Sequence, residues 1–334
     1  MMEAATRKKL QKYINLQPSS PIEMAAAVVN PHLYFRIAAR AISSLFRTNH
    51  PPALQGHSIP KSIDIYKGEN PFVLEMMDFL LMHLQGELAG AYVHGSLGTS
   101  EEIAYSDFDA LVILKDSVVS DPAKLAKVAS RLHRARYIMQ RFDPLQHHGW
   151  FVLTESDLQH YPQTYFPHQL FDNAKSLLTD QGLHLKLYLN KEADYITPLK
   201  NLAGSIINKL EKRDYPQTMY QLKGLTSEFM LLPALYVQAE TGNGIYKRES
   251  FSEAKKDFTK DEWFIMDEVS RIRKDWHYEM SKKERKEMMS LNPLMVRRKK
   301  QSGPGIPPDL SARLSSEFYD NLKSFCYLML KKMP

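Results

Sequence analysis

The sequence predicts an α+β protein: a small mixed sheet with helices, followed by an α-helical bundle. Three observations lead there. Strand-type runs at Ala91-Tyr92-Val93-His94, Phe108 to Leu114 and Trp150 to Leu153 alternate with helical periodicity. From Leu199 onward the remaining segments have helical spacing. The 334 residues are 43% hydrophobic and 25% charged, which suits a globular chain long enough for more than one core.

Taken in order, residues 1–48 read as helical. Pro31 opens a segment whose Leu33, Phe35, Ile37, Ala38, Ile42 and Phe46 form one apolar face. The Pro-, Gly-, His- and Ser-rich stretch 48–70 reads as a loop. A buried helix is expected over 72–88, with Leu74, Met77, Phe79, Leu80, Leu81 and Leu84 on most of its faces. Thr99 and Glu102 have capping-box spacing, so a short helix is expected to start there. Pro122 opens the next helix, with Leu125, Val128, Leu132, Ala135 and Ile138 on one side. Helices are expected over 199–212, 215–240, 250–275 and 310–331, with breaks at Pro216, at Gly242-Asn243-Gly244 and in the run 302–308. Alternating strands and helices followed by helices alone give a mixed sheet with helices on one face. The expected domains are 1–70, an N-terminal helical extension and loop; 71–190, a sheet-containing unit; and 191–334, a helical unit.

Composition narrows the function. A single cysteine, Cys326, excludes an internal disulfide framework and a cysteine zinc site, and its apolar neighbours place it in a core. No signal peptide and no apolar run of bilayer length is apparent, so the expectation is a cytoplasmic protein with no membrane partner. The formal net charge of +6 leans toward a phosphate-rich partner, a polyphosphate or a nucleic acid.

The informative stretch begins at His94-Gly95-Ser96 and ends at Asp107-Phe108-Asp109. Gly95 closes a strand where the backbone must turn and approach a ligand. Ser96 adds a hydroxyl, and a helix start nearby would point amides at the same anion. Asp107 and Asp109 flank Phe108, so the strand period puts both carboxylates on one side and the ring on the other. Two neighbouring carboxylates repel unless a cation lies between them. A hard divalent ion, Mg2+ or Mn2+, suits that gap when phosphates complete its shell.

A Gly-Ser turn, an intervening loop and a Ser106-Asp107-Phe108-Asp109 strand followed by Ala110-Leu111-Val112-Ile113 resemble the signature of the DNA polymerase β-like nucleotidyltransferase superfamily. The likeness covers about residues 91–114. It implies a nucleotidyltransferase core over 71–190, with Gly95 and Ser96 on a triphosphate and Asp107 and Asp109 on the metal and in catalysis. The reaction implied moves a nucleoside monophosphate from a nucleoside triphosphate to an acceptor hydroxyl on a small molecule, an RNA end, a protein or a nucleotide. Members of that superfamily usually add a third carboxylate from a later strand. Here 150–153 has no acid. His148 can substitute as ligand or general base, Asp143 or Glu155 can reach in from the flanking loops, or the site has lost its base and binds nucleotide without turnover.

Lys209, Lys223 and Tyr246-Lys247-Arg248-Glu249-Ser250 are candidates to meet the triphosphate from the helical half. Lys223 stands out among them, because Tyr220, Leu222, Leu225 and Phe229 surround it with apolar neighbours. The Arg297–Lys300 run is either a grip on RNA phosphates or a solvated loop. Tyr161, Tyr165, Phe166 and Phe171 are expected either to line an acceptor pocket or to pack between domains. Trp263, Phe264 and Trp276 are expected in the helical core.

Overall fold

The computed structural model describes residues 4–47, 57–189 and 193–333, and its architecture is mixed α+β. Three helices lead: α1 (Ala4–Ile14), α2 (Pro21–Val29) and α3 (Pro31–Arg47). Ser20 accepts from the Glu23 N–H and Pro21 follows it, a start that satisfies one orphan donor and presets φ. After β1 (His57–Ser62) come α4 (Pro71–Leu84), β2 (Leu88–Val93), α5 (Gly95–Thr99), β3 (Ala110–Leu114), α6 (Asp116–Val119) and α7 (Pro122–Phe142). The chain continues through β4 (Phe151–Thr154), α8 (Glu155–Gln159), β5 (Lys175–Ser176) and β6 (His184–Leu189).

The main sheet has the order β4-β3-β2-β5. Here β3 runs antiparallel to β2 and parallel to β4, and β5 pairs antiparallel with β2. All five residues of β3 are buried, because both faces of the sheet are covered. Ala110, Val112 and Leu114 meet a core that includes Leu80 of α4 and Leu125, Val128 and Leu132 of α7. Leu111 and Ile113 meet Tyr92, Leu153, Phe166, Phe171 and Leu187 on the other face. A strand buried on both faces has no reason to alternate polar and apolar residues, so it reads as an unbroken apolar run. Leu10, Tyr13, Ile14 and Phe35 of the leading helices lie in the same core as Val112 and Trp150. Asn15 fixes that join, because its amide accepts from the Trp150 N–H at 2.8 Å and donates to the Trp150 C=O at 2.9 Å.

The second half is helical: α9 (Ile196–Glu211), α10 (Met219–Phe229), α11 (Leu232–Thr241), α12 (Lys247–Lys255), α13 (Lys260–Lys274), α14 (Lys282–Met288), α15 (Pro293–Ser302), α16 (Pro308–Ser311) and α17 (Ser316–Lys332). These helices share a core containing Leu222, Phe229, Trp263, Met266, Trp276 and Phe325. Cys326 belongs to it, fully buried, and burial pushes its thiol up to about 12. Among the described residues no helix is long and apolar enough to cross a membrane.

Several expectations are corrected. Part of the expected loop, 57–62, is β1, which pairs with β6 in a separate two-stranded sheet; residues 48–56 lie outside the described residues. Pro60 is tolerated there because a two-stranded sheet has a free edge. The Thr99–Glu102 capping box forms no helix. Ser100 takes the left-handed conformation (φ 55°) and ends α5, while Thr99 Oγ1 donates back to the Ser96 C=O. The expected helix 215–240 is split between α10 and α11, with Pro233 in the first turn of α11. The expected helix 250–275 is split at Thr259, whose capping box with Glu262 restarts the helix. Phe264 is 51% exposed and lies outside the core. The expected boundary at 190–191 falls outside the described residues.

Candidate active site

The sheet puts the ends of β2 and β3 side by side, and two hydrogen-bond devices extend the ladder beyond them. The His94 N–H donates to the Asp109 C=O at 3.0 Å. On the opposite edge the Gln146 side chain stands in for a strand. Its Oε1 accepts from the Phe108 N–H and its Nε2 donates to the Phe108 C=O, both at 2.9 Å. Residues 107–109 are thereby held extended. Phe108 is fully buried against Phe142, while Asp107 and Asp109 remain partly exposed.

Gly95 takes φ +64°, the left-handed region that glycine enters without penalty. A Cβ there would lie 2.8 Å from Asp109 Oδ2, so the turn passes directly against that carboxylate. Ser96 follows in the first turn of α5, half-buried, with His94 at the N-cap. The helix start therefore lies at Gly95 itself, a turn earlier than the sequence suggests. The first-turn N–H groups of a helix lack intrahelical acceptors. A Cβ on Gly98 would meet the Asn173 C=O at 2.3 Å, which seats α5 on the end of the 3-10 helix His168–Asn173.

Lys223, from α10, is wholly buried and reaches this edge. Its Nζ lies 2.7 Å from Asp143 Oδ2 and 3.0 Å from Asp107 Oδ1, with the Tyr105 ring 5.1 Å away. Two carboxylates around one ammonium leave one negative charge in excess, and burial decides where the extra proton goes. Burial and then the Asp107 charge push the more deeply buried Asp143 carboxyl up to about 7, despite Lys223. Burial also pushes Asp107 up, but Lys223 and then His148 outweigh it and bring the carboxyl down to about 2. Asp107 is thus the ionised member of the pair, and Asp143 carries the shared proton near neutral pH.

The other candidates lie as follows. His148 is exposed beside Phe151, and its backbone C=O accepts from Gln146 Nε2 at 3.2 Å. Its ring is near enough to interact electrostatically with Asp107 and His94. The neighbouring His147 is stacked on Tyr220, with ring centroids 3.9 Å apart, and burial lowers its pKa to about 3. Glu155 is remote. It follows the far end of β4, about 13 Å along the strand from Phe151, and accepts from the Asp116 N–H. Lys209 is engaged with Glu228 at 2.7 Å. Lys247 is half-buried, and burial, then Arg273, lower its ammonium to about 8 against the pull of Asp109 and Asp107. Tyr246 hydrogen bonds the Thr99 side chain, and Arg248 pairs with Glu101.

The Arg297–Lys300 run lies on α15, neither in a loop nor uniformly solvated. Lys299 turns inward to donate to Gln140 Oε1 at 2.7 Å, and burial lowers its ammonium to about 7. Tyr161, Phe166 and Phe171 belong to the core that covers one face of the sheet, with Tyr165 packed against it. Gln146 and Arg273 escaped the sequence reading, and His94 was given no role in it. His94 is buried between Phe151 and Phe166, and among the described residues its Nε2 has no partner.

As a metal centre, the edge offers two carboxylates one residue apart, with phosphate oxygens needed to complete a shell. Among the described residues no group of three or more His, Cys, Asp or Glu side chains is placed to hold an ion by itself. No family model, no curated protein and no solved structure matches this chain.

Proposed function

We propose that the chain is a metal-dependent nucleotidyltransferase, moving a nucleoside monophosphate from a nucleoside triphosphate to an acceptor hydroxyl with release of pyrophosphate. The observation that carries the reading is the pressing of the Gly95 turn against Asp109, with Asp107 held ionised on the same edge. Residues 71–190 are then the catalytic unit, 1–70 its N-terminal extension and 191–334 a helical domain that supplies cations. A nucleoside triphosphate substrate places the work in the cytoplasm.

The residues divide the task between them. Gly95 and Ser96 bind phosphate oxygens through first-turn amides and the serine hydroxyl. Lys247 and Arg273, beside Asp107 and Asp109 in the field of the site, neutralise the polyphosphate. Lys223 keeps Asp107 charged and in place. A bound Mg2+ or Mn2+, held by Asp107 and Asp109 with the phosphates, supplies Lewis-acid stabilisation at the α-phosphate. His148, exposed at the edge, is placed to take the proton of the acceptor hydroxyl. The acceptor is a small molecule, an RNA end, a protein or a nucleotide.

A second reading, a nucleotide-binding module without turnover, is favoured by one observation. Lys223 already occupies the cation's place between Asp107 and Asp143, and among the described residues no three acids or histidines are placed together to hold an ion. The two readings separate on incubation with each labelled nucleoside triphosphate and Mg2+ or Mn2+, with and without total RNA, beside Asp109→Asn. Asp109 is the better residue to change, since Asp107 is also the partner of a buried lysine. Pyrophosphate release lost in the variant supports transfer. Metal-dependent nucleotide binding with no release under any condition supports the module.

A further inference from the structure

We propose that the groove between α3 and the N-terminal half of α7 binds the phosphodiester backbone of a single-stranded nucleic acid. The proposal does not depend on transfer at the Asp107 edge. The groove encloses about 670 Å³, and its walls carry Arg36 and Arg40 from α3 facing Lys127, Arg131 and Arg134 from α7. Ser130 Oγ and His32 Nδ1 join the helices across it at 2.8 Å.

The charges are not used up internally. Lys127 and Arg131 share one acid, Glu87, at 3.4 and 3.6 Å. Asp121, the acid in the lining, caps α7 by accepting from the Ala123 and Lys124 N–H groups. Arg36, Arg40 and Arg134 are exposed and make no ion pair or hydrogen bond among the described residues. Like charges three and four residues apart on a helix repel, so the pairs Arg36 and Arg40, Lys127 and Arg131, and Arg131 and Arg134 destabilise the free protein. A bound anion reverses that penalty.

The spacing selects the ligand. Four residues of helix advance about 6 Å, and Lys127 to Arg134 about 10 Å. Each strand of a duplex carries one charge per roughly 3.4 Å of axis, and an extended single strand spaces its phosphates more widely, so about two to three phosphates fit along this wall. Arginine, four of the five cations here, matches phosphate oxygens with a planar fork. The cations line a cleft between two helices, which a strand can enter and a flat bilayer cannot follow.

The test is fluorescence anisotropy of a labelled 12-nucleotide oligouridylate with the full chain across a salt series. Beside it stands the variant Arg36→Gln/Arg40→Gln/Arg134→Gln, with Lys8→Gln/Lys9→Gln as a charge control elsewhere. With about 0.7 counterions released per contact on a single strand, three arginines give a log–log salt slope near −2. The expected result is that slope for the wild type and at least about tenfold weaker binding for the groove variant. The control should bind as the wild type, and the thermal midpoint should fall in neither variant, rising slightly in the groove variant as the repulsion is relieved. Binding unaffected by the three substitutions, or absent at low salt, overturns the proposal. So does arginine-dependent capture of phosphatidylserine vesicles, or of inorganic tripolyphosphate, by a chain that ignores the oligonucleotide.

Discussion

Replacing Lys223 by methionine leaves two buried carboxylates facing each other without their shared cation. The wild-type balance sets the pH at which this matters. Asp143 keeps its proton up to about pH 7 when folded, against an ordinary value of 3.8, so the folded state binds the extra proton. Its contribution to stability is therefore fullest below about pH 4 and is lost as pH rises through 7. Asp107 runs the other way: pushed down to about 2, it contributes above 3.8 and loses that as pH falls toward 2. Removing one partner from a buried ionic set costs about 3–5 kcal/mol when the remaining charges cannot be neutralised. At pH 8 Lys223→Met should show that full cost. At pH 5.5 proton uptake relieves about 2 kcal/mol or more of it, since each pKa unit is worth about 1.4 kcal/mol. Guanidinium unfolding followed by tryptophan fluorescence reads the site directly, because Trp276 packs edge-on against Tyr105, whose ring faces Lys223. Adding Asp143→Asn to Lys223→Met should restore much of the pH 8 loss. A loss below about 1 kcal/mol at pH 8, or one equal at both pH values, refutes the account of a shared proton and cation.

Gly95→Ala should cost about 1–2 kcal/mol from the left-handed backbone alone, and its methyl would displace the Asp109 carboxylate. Affinity for Mn2+ with a fluorescent triphosphate should fall at least about tenfold, and wild-type affinity in the variant would show that the turn does not set the carboxylate. Gln146→Leu orphans the N–H and C=O of buried Phe108, at about 1–3 kcal/mol each. It should accelerate exchange of the Phe108 amide hydrogen, and unchanged protection would sink the idea that this side chain stands in for a strand. Lys247, lowered to about 8, loses its charge early, so triphosphate affinity should weaken as pH rises from 8 to 10 while the cost of burying the ammonium is relieved. Lys247→Arg should flatten that profile, and the same fall in both proteins would place the titration elsewhere.

The α+β order was legible because its longest signals are local. The apolar run of β3 between Asp109 and Lys115 and the Pro-opened starts of α3 and α7 needed no tertiary partner to be read. The strands that were missed depend on distant neighbours. β5 has two residues, and β1 exists because β6 arrives to pair with it through Pro60. The failed capping box at Thr99 has a similar cause. Gly95 begins a helix earlier and Gly98 locks it onto the Asn173 C=O, so the chain reaches Ser100 already turning out. A motif four residues long cannot report that its first residue is committed to the preceding turn.

The candidate site divides along the same line. Gly95, Ser96, Asp107 and Asp109 lie within one hairpin-like stretch, and β2 pairing with β3 brings their ends together with no further information. The charge state of that edge is set from afar, by Lys223 and by Asp143 at the end of α7, through contacts spanning eighty residues or more of sequence. Composition around Lys223 hinted at burial but not at two carboxylates. A buried lysine is costly to keep unless its charge is matched, so an apolar setting for this residue type calls for acids to be sought. The sequence supplied one in Asp107 and left Asp143 among three alternatives. The three lie differently: Glu155 follows the far end of β4, His148 faces solvent, and Asp143 shares the ammonium with Asp107. Asp143 near its midpoint at neutral pH beside an ionised Asp107 makes the edge sensitive to any cation that arrives, because a new positive charge expels the shared proton before it displaces Lys223. Metal binding should therefore release about half a proton per site at pH 7, close to one near pH 6, and almost none near pH 9, where that proton is already gone. Calorimetry in buffers of different ionisation enthalpy measures this, and a proton count independent of pH would mean that Asp143 takes no part.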